Sequence, residues 1–299
     1  MITANLTGNI GNHCFSLLTL KSVAKKLGYE CGVNPIPSHD YHNGMNQMYF
    51  MDIDFGKTPE NIQHEYHETW TNYNNVNICK FEPRIYDILD NTILLGHNGA
   101  KGGVYQSESY FLDYRKDALE WFKIKDNYIQ EYTEKLKSLG YILDENLCII
   151  NFRGGEYKTV NNLICRKEYW KDSINYMLFI KPNMKFLVIS DDPDCAKQFI
   201  PFNIQCIHVD IGFDYFCVNK CKYLILSNSS FGAFAGYLND NAKLIIAPKY
   251  WSQHNTSFGY WGVGDQYYTT FQYMNREGEL ESYEIVKKQA EDFYKQNNI

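Results

Sequence analysis

The chain has 299 residues, 44% hydrophobic and 21% charged, enough to bury a core for one large α/β domain or two of ordinary size, which excludes intrinsic disorder. Its formal net charge is −6, with 29 Lys and Arg scattered along the chain, so no basic run marks a nucleic-acid surface. No apolar stretch approaches the roughly 18 residues that span a bilayer, and residues 1–8 lack the basic and apolar blocks of a signal peptide. A cytoplasmic protein is expected, with no transmembrane segment and at most a weak peripheral membrane association.

In chain order, the first signal is a glycine-punctuated loop, Thr7-Gly-Asn-Ile-Gly-Asn12, followed by Phe15, Leu17, Leu18, Leu20, Val23, Ala24 and Leu27 at helical spacing. Asn12 is expected to cap this helix and Gly28 to end it. Short strands are expected at 30–33, 48–53, 76–81 and 92–95. The pairs His39/His42 and His64/His67 have the i,i+3 spacing of metal ligands, but both lie among Asn and Tyr residues and read as solvated surface.

From residue 127 the periodicity sharpens. Ile129, Tyr132, Leu136 and Leu139 mark a helix face, and 147–150 reads as a buried strand. Further strands at 185–189, 204–208, 223–226 and 244–247 alternate with helices near 167–180, 193–199, 214–221 and 230–238, the pattern of a parallel sheet covered on both faces. Residues 280–297 predict a terminal amphipathic helix that docks back on the body. The change of pattern suggests a boundary near residue 142, giving domains 1–141 and 142–279 and a terminal helix 280–299. The nine cysteines, an odd number, lie mostly in apolar segments and read as reduced core thiols. Cys217 and Cys221 are spaced CxxxC with no second pair nearby, so no zinc site is expected.

Ligands of parallel α/β sheets bind at the carboxyl ends of the strands. After 147–150 comes Asn151-Phe-Arg-Gly-Gly-Glu-Tyr157, where two glycines allow close backbone approach and Arg153 offers a planar fork for phosphate or carboxylate. Glu156 stands where a general base would be useful. A turn with a surface ion pair is the competing reading. After 185–189 come Ser190, Asp191, Asp192 and Pro193; one aspartate is expected to cap a helix, leaving the other to meet a ligand hydroxyl or to hold Arg153. After 223–226, Ser227-Asn-Ser-Ser-Phe231 opens a helix with hydroxyl and backbone N–H groups suited to an anion. The Gly8–Gly11 loop has GxxG and not GxGxxG, so a dinucleotide fingerprint is weak.

Taken in order, these segments resemble the bacterial α1,2-fucosyltransferase family (glycosyltransferase family 11) and, more distantly, the α1,6-fucosyltransferases. Gly8-Asn-Ile-Gly-Asn-His-Cys-Phe15 is similar to the family's Gly-Leu-Gly-Asn-Gln-X-Phe start, and Gly103-Val-Tyr-Gln-Ser-Glu-Ser-Tyr-Phe111 to its Gly-Tyr-Phe-Gln-Ser-Glu segment. Asn151 to Tyr157 falls at its His-X-Arg-Arg-Gly-Asp-Tyr, and Ser190-Asp-Asp192 at its Ser-Asp-Asp. Asn228-Ser-Ser-Phe231 with Tyr237-Leu-Asn239 matches its Asn-Ser-Ser-Phe and Trp-Leu-Asn block. Ile246-Ala-Pro-Lys-Tyr-Trp251 resembles its closing strand.

The resemblance implies an α/β, GT-B-like architecture of two Rossmann-like halves with a cleft between them. It also implies inverting transfer of fucose from GDP-fucose to a hydroxyl of a glycan acceptor, with no metal or other cofactor. By position, Arg153 holds the diphosphate, with Asp191, Asp192, Asn228, Ser229, Ser230 and Phe231 around the donor and Asp214 on the guanine. Gly8, Gly11, Asn12 and His13 line the acceptor side. Glu156 is the expected base, with His13 as the second candidate.

The chain departs from the pattern at Asn151 (His in the family), Gly154 (Arg), Glu156 (Asp) and 232–236 (a Trp-containing helix start). These departures keep open another GDP- or nucleotide-sugar donor, or a catalytically silent binding protein of the same fold. Tyr-rich stretches at 41–49, 66–73 and 260–273 suit sugar stacking, although packing explains most such residues.

Overall fold

The computed structural model describes residues 1–33, 47–96, 103–256 and 265–299. The chain forms two compact units, one of Met1–Lys125 with a short return ending at Gln266, the other running from Asp126 and including the C-terminus. The expected histidines 39 and 42 and parts of two Tyr-rich stretches lie outside the described residues.

In the first unit, strands β1 (Ile2–Ala4), β2 (Cys31–Val33), β3 (His64–Tyr66) and β6 (Thr92–Leu94) form a parallel sheet in the order β2-β1-β6-β3. Helix α1 (Ile10–Leu27) crosses from β1 to β2 and buries Phe15, Leu17, Leu18 and Leu20. It starts earlier than expected. Asn9 occupies the cap position and Asn12 lies inside the first turn, its N–H bonded to the Asn9 carbonyl at 2.9 Å. The cause is the burial of Ile10 and Gly11, which draws the loop's second half into the helix. Gly28 ends α1 in the left-handed region, φ 70°.

A hairpin of β4 (Trp70–Tyr73) and β5 (Val76–Cys79) turns on Asn74 and Asn75, both at positive φ, 48° and 63°. The strand expected at 48–53 does not form; Met51 makes a single bridge to Ile124 while its N–H closes a turn onto Met48. Helix α2 (Arg115–Trp121) completes this unit.

The second unit opens with α3 (Asp126–Ser138). Tyr132 of α3 packs within this unit: its hydroxyl bonds Asp210 at 3.2 Å and its ring meets Phe213 edge-on at 5.9 Å. Strands β7 (Leu147–Phe152), β8 (Lys185–Ser190), β9 (Cys206–Ile207), β10 (Tyr223–Leu226), β11 (Leu244–Pro248), β12 (Gln272–Met274) and β13 (Leu280–Ser282) form one sheet, ordered β13-β12-β11-β10-β7-β8-β9. All pairs are parallel except β12 with β13. Helices α4 (Lys167–Ile180), α5 (Pro193–Phe199), α6 (Ile211–Lys220) and α7 (Ser230–Tyr237) connect the parallel strands.

Every residue of β7 is buried, as a central parallel strand requires. Trp170, Ile174, Val188 and Ala196 pack with Ile150 and Phe152 beneath the strand ends. The last helix, α8 (Tyr283–Gln296), starts after the expected residue 280, because 280–282 are taken up by β13. All nine cysteines are free and seven are buried.

Candidate functional site

The β7–β8 register pairs Phe152 with Ser190, so the loops that follow start side by side. Arg153 therefore meets Asp191: Nη1 lies 2.7 Å from Asp191 Oδ2, and Nη2 lies 3.0 Å from Glu156 Oε1. The Gly154 N–H donates to Asp191 Oδ1 at 2.8 Å, so one carboxylate holds both the backbone and the guanidinium of this loop. The glycine pair has a steric reason. A Cβ on residue 155 would fall 2.3 Å from Asp191 Oδ2, and one on residue 154 would fall 2.8 Å from the Asp192 Cβ. Tyr157 lies 5.6 Å from the Arg153 guanidinium, and its hydroxyl donates to the Asn228 carbonyl at 3.1 Å.

Asp192 is the cap of α5. Its Oδ1 accepts from the Cys195 N–H at 3.0 Å and its Oδ2 meets Lys158 Nζ at 2.7 Å, and Lys158 leads in holding its carboxyl below the usual range. At the end of β10, the Asn228 side chain donates to the Leu163 carbonyl at 2.8 Å and thereby ties the two loops together. Ser229 is buried at the N-cap position of α7, Ser230 starts the helix, and Phe231 stands 6.1 Å from Tyr215.

Asn151 Oδ1 and Ser227 Oγ, at neighbouring strand ends, are buried without hydrogen-bond partners. Such atoms are uncommon, and here they gather on the ligand edge of the sheet. Gly232 makes room for Asn151: a Cβ there would sit 2.2 Å from Asn151 Oδ1.

Asp214 lies in the first turn of α6, which starts at Ile211 because Asp210 caps it through the Phe213 N–H at 2.9 Å. Asp214 is buried, and its Oδ2 is 2.6 Å from His208 Nδ1. Burial pushes the Asp214 carboxyl up to about 6, against the pull of His208. The hydrogen bond in turn raises the His208 imidazole above its ordinary value.

In the first unit, Gly8 is exposed at φ 79° while Gly11 and His13 are buried in α1. Asn12 Oδ1 accepts from Gln106 Nε2 at 2.9 Å, and Gln106 Oε1 accepts from Gln266 Nε2, so an amide chain holds the N-terminal loop. Behind Gln106 stands Glu68, 1% exposed. Its Oε2 accepts from the Val104 and Tyr105 N–H groups at 2.6 and 2.8 Å, and its Oε1 accepts from the Tyr110 hydroxyl at 2.7 Å. Burial nevertheless pushes its carboxyl up. Tyr105 sits at φ 54°, a strained value for a tyrosine, and these bonds hold it there.

Sequence reasoning missed Glu68, Gln266, Lys158 and His208, and gave no role to Gln106 although it stands in the 103–111 motif. Glu68 lies in a segment that reads as exposed loop, and no periodic signal marks it as core. His64 and His67 are exposed as expected, although His64 belongs to β3. Tyr66, Tyr267, Tyr268 and Tyr273 are buried and pack. Among the described residues, no cluster of three His, Cys, Asp or Glu side chains forms a metal-binding group, and no helix is long and apolar enough to cross a membrane.

Among curated proteins, the O-antigen biosynthesis glycosyltransferase WbnK of Escherichia coli is 24% identical over 191 residues, 58% of this chain and 62% of WbnK. The chain thus spans about three fifths of that relative's length. Among solved structures, the fucosyltransferase NodZ from Bradyrhizobium is 12% identical, covering 82% of this chain and 94% of NodZ at a TM-score of 0.48. The glycosyl transferase family 9 protein of Veillonella parvula is 13% identical, covering 96% and 88% at 0.47. Residues 40–268, well over half the sequence and including five of the six motif segments, match the model of glycosyl transferase family 11. The chain belongs to glycosyl transferase family 11.

Proposed function

We propose that the chain transfers a fucosyl group from GDP-fucose to a hydroxyl of a glycan acceptor, inverting the anomeric centre and using no metal. Family membership and the order of the motifs support the reaction class and the donor. The observation that carries the site is Arg153, gripped by Asp191 and Glu156 at the carboxyl ends of β7 and β8.

In this reading the diphosphate takes the place of Glu156 on the guanidinium. Glu156 is the more exposed of the two partners, its side chain being 58% exposed against 28% for Asp191. Asp191 keeps Arg153 and Gly154 in position. The Ser229 and Ser230 groups at the start of α7 add N–H and O–H donors for the phosphates. Asn228 and Asp192 brace the surrounding loops, Phe231 flanks the donor, and Asp214 meets the guanine.

The acceptor, held beside Gly8, Gly11, Asn12 and His13, attacks the anomeric carbon through its hydroxyl oxygen. The bond from that carbon to the diphosphate oxygen breaks and its electron pair leaves with GDP. The hydroxyl proton passes to the released Glu156, with His13 as the second candidate. Residues 1–141 then serve the acceptor and 142–279 the donor, in a cytoplasmic enzyme.

Calorimetry against GDP, UDP and CMP tests the donor. GDP binding is expected, weakened at least about tenfold in Arg153→Ala through loss of charge-assisted hydrogen bonds; no GDP binding by the unaltered chain overturns the reading. Glu156→Gln is expected to lower kcat by roughly 10²–10⁴-fold, and full retention of kcat would transfer the role to His13.

A second reading, a different GDP- or nucleotide-sugar, is favoured by one observation. A Cβ on residue 154 already collides with Asp192 and comes within 3.2 Å of Cys195 Cβ. The family's second arginine therefore has no seat here, and the phosphates have one cation fewer.

A further inference from the structure

A second recess, about 640 Å³, opens between residues 157–166 and helix α5 in the second unit. Its walls include Asn161, Asn162, Arg166, Gln198, Phe199 and Asn255. Neither Arg153, Asp214 nor the serines of α7 line it; Asp192 is the one proposed donor-side residue it shares. Its volume lies within the range of small-ligand sites, and its lining combines four amide side chains, the cations Lys158 and Arg166, the rings of Tyr157 and Phe199, and two carboxylates, Asp192 and Asp194, that are already paired with Lys158 and Lys197.

One buried side chain braces the recess, whose Asn161, Asn162, Arg166 and Gln198 are exposed. Asn255 is buried, and its Nδ2 donates to the carbonyls of Asn162, at 2.7 Å, and Ile164. Its Oδ1 accepts from the Arg166 N–H at 3.1 Å, so one side chain ties the rim to the start of α4.

The charge balance is unusual for this edge of the sheet. Arg153, Lys158 and Lys197 each have a carboxylate at 2.7 to 3.0 Å. Arg166 has none among the described residues; its guanidinium makes a single bond, from Nη2 to the Asn255 carbonyl at 2.8 Å. Arg276 likewise bonds only carbonyls, those of His254 at 2.7 Å and Gln253 at 3.0 Å. The two guanidiniums make a positive corner. Burial, assisted by Arg276 and then Arg166, holds the nearby His254 imidazole down to about 3. A guanidinium has five N–H donors, and Arg166 spends one, so a planar fork is left over in a polar recess.

We propose that this recess receives an anionic group on the acceptor glycan, a carboxylate or phosphate carried by a sugar, with Arg166 as its anchoring cation. Asn161, Asn162 and Gln198 offer amides to the sugar hydroxyls, and Phe199 offers a ring face. The proposal rests on the reading of the chain as a glycosyltransferase.

Ligand-observed NMR with glucuronic acid, glucose 1-phosphate and glucose, at saturating GDP, tests it. At least one anionic probe is expected to bind about fivefold more tightly than glucose, the discrimination typical of a partly exposed ion pair. Whichever anion is preferred identifies the acidic group. Arg166→Gln is expected to erase the preference. So is Gln198→Glu, which puts a carboxylate on the same recess without touching Arg166. GDP affinity should be unchanged in both variants. Equal binding of the three probes, or a preference that survives Arg166→Gln, overturns the proposal. Failure of GDP to bind, with the Arg166-dependent preference intact, instead overturns the donor reading alone.

Discussion

In the second unit, Ile150, Phe152, Trp170 and Val188 close the core beneath the ends of β7 and β8, and on that edge charge begins where these two strands stop, at Arg153 and Asp191. In the first unit a carboxylate is part of the core: Glu68 is buried and takes three hydrogen bonds from the segment 104–110. The β7–β8 edge of the second unit thus rests on apolar packing, while the segment 104–110 of the first unit is shaped by a buried acid. Long, fully buried strands can support a loop from below, whereas a sheet of three-residue strands cannot, and polar bonds must position the chain instead.

The largest expected effect breaks the apolar side of this contrast. Trp170→Ala removes a side chain that is 0% exposed and packs on Phe152 and Tyr169. Chemical denaturation should show a loss of roughly 3–5 kcal/mol, borne by the second unit. Glu68→Ala tests the polar side: it strands the Val104 and Tyr105 N–H groups and the Tyr110 hydroxyl. A loss of about 3 kcal/mol is expected. Glu68→Gln keeps an acceptor for the two N–H groups and should lose about 1 kcal/mol. If Ala and Gln proved equal, the hydrogen bonds would not be what holds the segment.

Gly232→Ala sets a methyl 2.2 Å from Asn151 Oδ1. It should cost about 1–3 kcal/mol by overpacking, measured as a lowered Tm. The smallest effect is electrostatic and separates two histidines of the second unit. The hydrogen bond to Asp214 raises the pKa of His208. Its stabilisation is lost as pH rises through the raised folded value, and it also weakens on the acid side as Asp214 takes up a proton near its own value of about 6. His254 is buried neutral with its pKa lowered to about 3. Its contribution is present above about pH 6.5 and is lost as pH falls towards the folded value. Imidazole NMR titrations should therefore move apart in opposite directions, and Asp214→Asn should return His208 towards the ordinary value; coincident curves would refute both environments.

Legibility followed the same division. Helices α4 and α5 were expected at the residues where they occur, 167–180 and 193–199, because continuous apolar strands and clear helical periods leave little choice. In the first unit β3 escaped notice, since two of its three residues face solvent and have no period to show. Arg153, Asp191 and Asp192 stood out because functional loops follow parallel strands. Gln106 stood in the 103–111 motif, but its role was not legible, because its partner Gln266 is 160 residues away and an amide pair leaves no local pattern.

By itself, the sequence determined the alternating α/β core of the second unit and the cluster of chemistry at its strand ends, because hydrophobic period and turn residues act locally. The order of its motifs also pointed to the family. Only the tertiary structure decided which charges are satisfied. The register of β7 on β8 brings Asp191 to Arg153, capping assigns Asp192 to α5, and Asn255 leaves Arg166 a spare fork. An ion pair depends on distances between segments far apart in sequence, and only the packing of the sheet sets those distances.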